Sequence, residues 1–233
     1  MPCTLPASLA DAAVCRGSFH AVLGGEAGEA VFADFSAALQ KAQAEGRILT
    51  ASLFRYENHL FFYGEGLNRP FTPQGLCPAL DAALLPWPPA LGEAAPRPWA
   101  AMQPYFYHDV PTTAADWQQG RCPQRRRGRI ALLPPDSWCS YMEHHLRIVT
   151  EGLVEGDRWH LICVQEGVLF SYLEEPRTNV NIKHQPGAHS PELDAWIAAD
   201  PESHFARFTP EQKAHPDSSH NFVFLPRIAG TED

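Results

Sequence analysis

The chain lacks any apolar run near the roughly 18 residues that a membrane-crossing helix requires. It also lacks the basic start and long apolar core of a secretory leader, since Asp11 interrupts the weakly apolar beginning. A cytoplasmic protein is expected. Positive charge is scarce too: 18 lysines and arginines face 27 aspartates and glutamates, a formal net charge of −9. That balance argues against nucleic acid and against an anionic membrane surface as partners. Four arginines, Arg125, Arg126, Arg127 and Arg129, stand against it and read as a solvated loop ahead of a strand. The six cysteines include no CxxC pair, so no zinc knuckle is expected, and a reducing compartment would keep them as thiols.

What is present is pattern. Residues 19–23 read as a strand, and 32–45 as an amphipathic helix closed by Gly46. Residues 49–56 and 59–64 read as a hairpin turning at Glu57-Asn58, and 78–85 as a helix with Pro78 at its first position. After a proline-rich connector and a strand over 102–110, the order recurs. A strand over 130–133 precedes a helix over 137–151 closed by Gly152, then a hairpin over 159–173, then a helix over 190–199 with Ser190 as cap. Glu45-Gly46 returns as Glu151-Gly152, 106 residues later, and Phe35 and Trp99 return at the same spacing as Tyr141 and Phe205. The repeat predicts an α+β chain of two ferredoxin-like βαββα units packed sheet to sheet as a pseudo-dimeric α+β barrel. An arm over 1–17 would lead to a first unit at 18–111, a linker at 112–128 and a second unit at 129–233. The chain would be a monomer by internal pseudo-dimer, or a homodimer.

The repeat also supplies an internal comparison. Tyr141 stands where the first unit has Phe35, and His145 where it has Leu39; Trp159-His160 replaces Ala51-Ser52, and His204-Phe205 replaces Pro98-Trp99. Polar aromatic side chains gather in the second unit alone, which predicts one site per chain, housed there. Tyr141 and His145, one turn apart, share a helix face. His144 and His145 point about 100° apart, so a metal could take only one of them easily, and no metal is expected.

Tyr141-x-x-x-His145, the hairpin through Glu166, Gly167, Tyr172 and Glu174, and Asp200-Pro201 ahead of His204-Phe205 together resemble the L-rhamnose mutarotase family of dimeric α+β barrels. The resemblance implies a mutarotase-like isomerase that interconverts the anomers of a monosaccharide such as a deoxyhexose without a cofactor. It makes His145 the acid–base residue and Tyr141 its orienting partner. Trp159, Tyr172 and Phe205 would be sugar platforms, with His160 and His204 as hydroxyl contacts. Two readings stay open beside it: a non-catalytic carbohydrate- or metabolite-binding protein, and a relative that ligates haem or a metal through histidine.

Overall fold

A computed structural model describes residues 6–177, 183–184, 187, 189–213 and 215–231; residues 1–5 of the expected arm lie outside it. The chain divides into two compact units. One comprises Met1–Met102, Pro111–Pro123 and Pro226–Asp233, the other Gln103–Val110 and Gln124–Leu225.

The first unit follows β1 (Val14–Val22), α1 (Glu29–Ala44), β2 (Ile48–Tyr56), β3 (His59–Leu67), α2 (Pro78–Ala82), the start of β4 (Ala100–Phe106) and α3 (Ala114–Gln118). The second holds the rest of β4, then β5 (Arg125–Leu132), α4 (Pro135–Glu151), β6 (Val154–Glu155), β7 (Leu161–Gln165), β8 (Val168–Glu175), β9 (Lys183–His184), α5 (Pro191–Ala198) and β10 (Val223–Leu225). The last strand, β11 (Arg227–Gly230), returns to the first unit and pairs with β2.

Local chemistry explains the elements. Phe32, Phe35, Leu39 and Ala42 recur at helical spacing, and all are buried along α1. The helix closes with two bonds, Arg47 N–H to the Ala42 carbonyl and Gly46 N–H to that of Gln43, both 3.0 Å. This closure requires the positive φ of 68° that Gly46 supplies. On α5, Ser190 Oγ accepts from the Leu193 N–H at 3.0 Å, the cap that the sequence predicts.

The pairing of strands corrects the expected architecture. Nine strands hydrogen-bond, all antiparallel, in the order β10-β5-β8-β7-β4-β1-β3-β2-β11. Strand predominates, and the chain is not two ferredoxin-like βαββα units packed sheet to sheet as a pseudo-dimeric α+β barrel. The reason is non-local. Residues 100–102 of β4 pair with β1, whereas residues 103–106 pair with β7 across a register shift at Pro104. Periodicity marks a strand and its faces but says nothing about which edge it will meet.

Arg125–Leu132 is likewise one strand rather than a solvated loop and a shorter strand. It pairs with β8 from Arg125↔Glu175 to Leu132↔Val168. No described helix is long and apolar enough to cross a membrane.

Candidate ligand pocket

The second unit's core forms where α4 and α5 meet β4, β5, β7 and β8, with Ala131, Leu133, Ile148, Ile162 and Leu169 buried together. Tyr141, His145 and Ile148, spaced four and three apart, are the buried residues of α4. Trp138, one turn before Tyr141 at the same spacing, is instead 40% exposed.

His145 is held from several sides. Its ring meets those of Phe106 and Trp196 edge-on, each at 4.7 Å, and lies 4.2 Å from that of Tyr141. Its Nδ1 is 2.9 Å from the Tyr141 carbonyl oxygen. A carbonyl can only accept, so Nδ1 carries the proton and Nε2 presents a lone pair. Burial is the main cause that lowers the pKa to about 4, against the pull of that carbonyl; His144, His204 and His108 lower it further. The imidazole is neutral at neutral pH.

His145 opens on a cavity of about 630 Å3 lined by residues of the second unit. Phe106, Tyr141, Trp196, Phe205 and Phe222 supply aromatic wall. Arg129, Arg177, Asp157, Glu202, His108 and His160 supply polar groups. Two of the four charged side chains are paired with each other, Arg177 Nε donating to Asp157. Glu202 accepts from the Asn221 amide.

Arg129 is different. Its guanidinium lies 4.3 Å over the Phe222 ring, and it forms no hydrogen bond or ion pair with any described residue; Nε is buried without a partner. Its neighbours on β5 are all paired: Arg125 with Glu175 at 2.7 Å, Arg126 with Glu174 at 3.5 Å, and Arg127 with Glu175 at 3.0 Å and Asp217 at 2.8 Å. Burial, aided by the charge of Arg177, pulls Arg129 down to about 10, which leaves it cationic at neutral pH. Beside it, burial pushes the Tyr141 hydroxyl up to about 12, so that group stays protonated.

Backbone close approach shapes one rim. A Cβ on Gly156 would fall 1.9 Å from the His108 ring, so glycine is what lets His108 sit there.

Of the residues expected to form a site, Tyr141, His145, His160 and Phe205 line this cavity. His204 stands behind its wall, its ring 5.3 Å from that of Trp196 and its Nε2 3.4 Å from Ser140 Oγ. Trp159 is half-buried in the turn before β7 and does not line the cavity. Tyr172 is fully buried on β8, where alternation turns it away from Leu169 and the cavity; its hydroxyl donates to Glu174 at 2.6 Å. The expected list left out Arg129, Phe106, Trp196, Phe222, Asp157 and Arg177. Arg129 was findable, because it shares β5 parity with Ala131, a core residue. Among the described residues, no group of three or more histidines, cysteines or acids could hold a metal ion.

No protein-family model and no curated protein matches the chain. Among solved structures it is similar to one described as a "putative monooxygenase" from Lactobacillus acidophilus NCFM, with 7% identity, a TM-score of 0.38 and coverage of 94% of this chain and 96% of the other. A second, described in the same words and from Fusobacterium nucleatum subsp. nucleatum, has 8% identity, a TM-score of 0.40 and 94% coverage of each chain. A third, described as an anthrone oxidase-like protein, has 7% identity, a TM-score of 0.37 and 92% coverage of each. Likeness this distant says nothing of what the present chain does.

The expected membership of the L-rhamnose mutarotase family, and with it the sugar isomerase function, is corrected on the strand order and on the absence of any matching family model. The motif that suggested it has a plainer cause. A Tyr and a His one turn apart are what α4 buries against Phe106 and Trp196, and the hairpin pattern is the apolar run of an antiparallel pair buried along nearly its whole length.

Proposed function

We propose that the second unit takes as substrate a planar aromatic molecule carrying an acidic oxygen, a hydroxyarene or aromatic carboxylate. The observation that carries this reading is Arg129: a half-buried cation, unpaired among the described residues, at the edge of an aromatic cavity. A buried charge without a partner is costly, and an anion entering the cavity would complete it. The walls fit a flat ring system, since Phe106, Trp196 and Phe205 offer faces and edges for offset or edge-on contact. The protonated Tyr141 hydroxyl and the lone pair on His145 Nε2 would orient the substrate's polar end. We place the protein in the cytoplasm, where a reducing milieu would preserve Cys15, Cys77, Cys122, Cys139 and Cys163 as the free thiols they are.

The test is titration calorimetry with 1-hydroxy-2-naphthoate and with its uncharged methyl ester. The wild type binds the acid more tightly than the ester, and Arg129→Gln weakens the acid about 30-fold or more, the loss expected for removing one partner of a buried charge pair. Ester binding stays within a few-fold. Equal binding of acid and ester, or an acid affinity indifferent to Arg129→Gln, refutes the proposal.

A further inference from the structure

The geometry points to an activity at this pocket: we infer that the second unit ionises a bound hydroxyarene, with His145 Nε2 removing the hydroxyl proton and Arg129 holding the oxyanion. The inference rests on the aromatic-substrate reading above and adds a reaction to it.

The step balances within the residues present. The substrate O–H bond breaks and its electron pair stays on oxygen. A new N–H bond forms at Nε2, and the imidazole becomes imidazolium while Nδ1–H remains on the Tyr141 carbonyl. No oxidant, reductant or metal enters. Release of the oxyanion, or its consumption by an electrophile, returns the proton.

The tautomer is the first argument. The Tyr141 carbonyl fixes the proton on Nδ1, so in the neutral ring the other nitrogen is a base and not a donor. The second is the response of the cavity to charge. Alone, an imidazolium at His145 is disfavoured by burial and by the other histidines, His144 on its own helix, His204 from the turn after α5 and His108 after β4. Proton transfer does not create it alone, however. It creates an imidazolium and an oxyanion together, a pair that gains from the low dielectric which penalises either ion by itself. The third is Arg129, whose guanidinium is the unpaired cation of the cavity, with the Tyr141 hydroxyl beside it as a neutral donor. Of the carboxylates that would oppose an anion, Asp157 is paired with Arg177, while Glu202, bonded to the neutral Asn221 amide, keeps a charge that also supports the cation of Arg129. His160 completes the rim, its backbone N–H on the Asp157 carbonyl at 3.1 Å. An ordinary hydroxyarene is too weak an acid to ionise much at neutral pH, and this arrangement lowers that barrier where the substrate sits.

The experiment uses the full chain and 6-cyano-2-naphthol, whose neutral and anionic forms absorb at different wavelengths. At a pH where the free probe is neutral, the bound probe should show the anion band, with a ratio of anion to neutral form at least tenfold above that in solution. In the same wild-type sample, 15N NMR should move His145 Nε2 from an unprotonated to a protonated shift, a readout that needs no variant. His145→Gln, which keeps a polar side chain, should bind the probe in its neutral form. A bound probe that stays neutral in the wild type overturns the inference and leaves the substrate reading standing. Absence of binding overturns both. An anion band that survives His145→Gln, or an unchanged Nε2 shift, overturns the role of His145.

Discussion

Removing Arg121 should unfold the first unit far more readily than its surroundings suggest, and the effect should grow with pH. Glu65 is fully buried on β3. Its carboxylate accepts from Arg121 Nη1 at 2.7 Å and Nη2 at 3.0 Å, from the Trp117 indole at 3.0 Å and from the Tyr63 hydroxyl at 2.5 Å. Burial is the largest influence on its pKa and raises it. The charge and bonds of Arg121, with the Tyr63 and Trp117 bonds, outweigh burial and hold the group below its ordinary value.

Arg121→Met keeps most of the side-chain volume but leaves a buried carboxylate with two neutral donors. Breaking a buried pair in this way costs about 3–5 kcal/mol. For a chain of this size each kcal/mol moves Tm by roughly 2–4 °C, so a fall of about 6–20 °C is expected. The sign of the pH dependence must also reverse. In the wild type the folded pKa lies below the unfolded one, so Glu65 contributes stability above the unfolded value and loses it as pH falls through the folded one. In the variant burial dominates and the folded pKa rises. The protonated acid is then tolerated at low pH, and stability is lost as pH climbs through the raised value. Thermal unfolding followed by circular dichroism at pH 5 and pH 8 reads both effects: the gap between variant and wild type should be wider at pH 8. Adding Glu65→Gln to Arg121→Met should recover much of the loss, because no buried charge remains. A loss below about 1 kcal/mol, or a gap that does not change with pH, would refute the reasoning.

Three further outcomes follow from local features. His145 titrates near 6.5 when unfolded and at about 4 when folded, so the unfolded chain binds more protons between these values. The second unit should lose on the order of 3 kcal/mol on acidification through that window, and His145→Phe should flatten this slope in denaturant melts run from pH 7 to pH 4. Ser190→Ala removes the cap on α5 and the Ser190 bond to Glu151, and should cost about 1–2 kcal/mol, read as a small drop in Tm. Glu57 turns the first hairpin at a φ of 53°, a region that asparagine visits with less strain, so Glu57→Asn should raise stability by up to about 1 kcal/mol in urea titration.

Local chemistry was the legible part of this chain. Phe32, Phe35, Leu39 and Ala42 announce α1 by spacing alone, and Ser190-Pro191 announces the start of α5, because in both the deciding contacts lie within a turn or two. The order of strands was not legible. That β4 leaves β1 for β7 at residue 103, and that β11 comes back from the end of the chain to β2, depends on edges far apart in sequence. The strand β5 was misread for a related reason. Four arginines look solvated when counted as charge, yet three of them sit in a ladder opposite acids of β8 or the loop before β10, and the fourth packs on Phe222. A basic cluster in sequence is a solvated face only if its partners are water, and the partners here lie some 45–90 residues away.

The same distinction separates the two kinds of buried polar group in the protein. Tyr63 and Glu65 on β3 recur as Tyr172 and Glu174 on β8, with the hydroxyl donating to the carboxylate in both, at 2.5 and 2.6 Å. In each unit an arginine answers the acid, Arg121 at 2.7 Å in the first and Arg126 at 3.5 Å in the second. A feature present in both units is one the shared fold accounts for, and Tyr172, expected from sequence as a substrate contact, takes part in it. Arg129 and His145 follow the opposite logic. Leu39 stands where the repeat would place a counterpart of His145, and neither Arg129 nor the Nε2 of His145 is consumed by a described neighbour. A half-buried cation without a partner costs stability, a cost that a ligand completing the pair would offset. On the function proposed above, the strongest functional signal in this sequence is therefore the one arginine of the cluster that no described residue pairs.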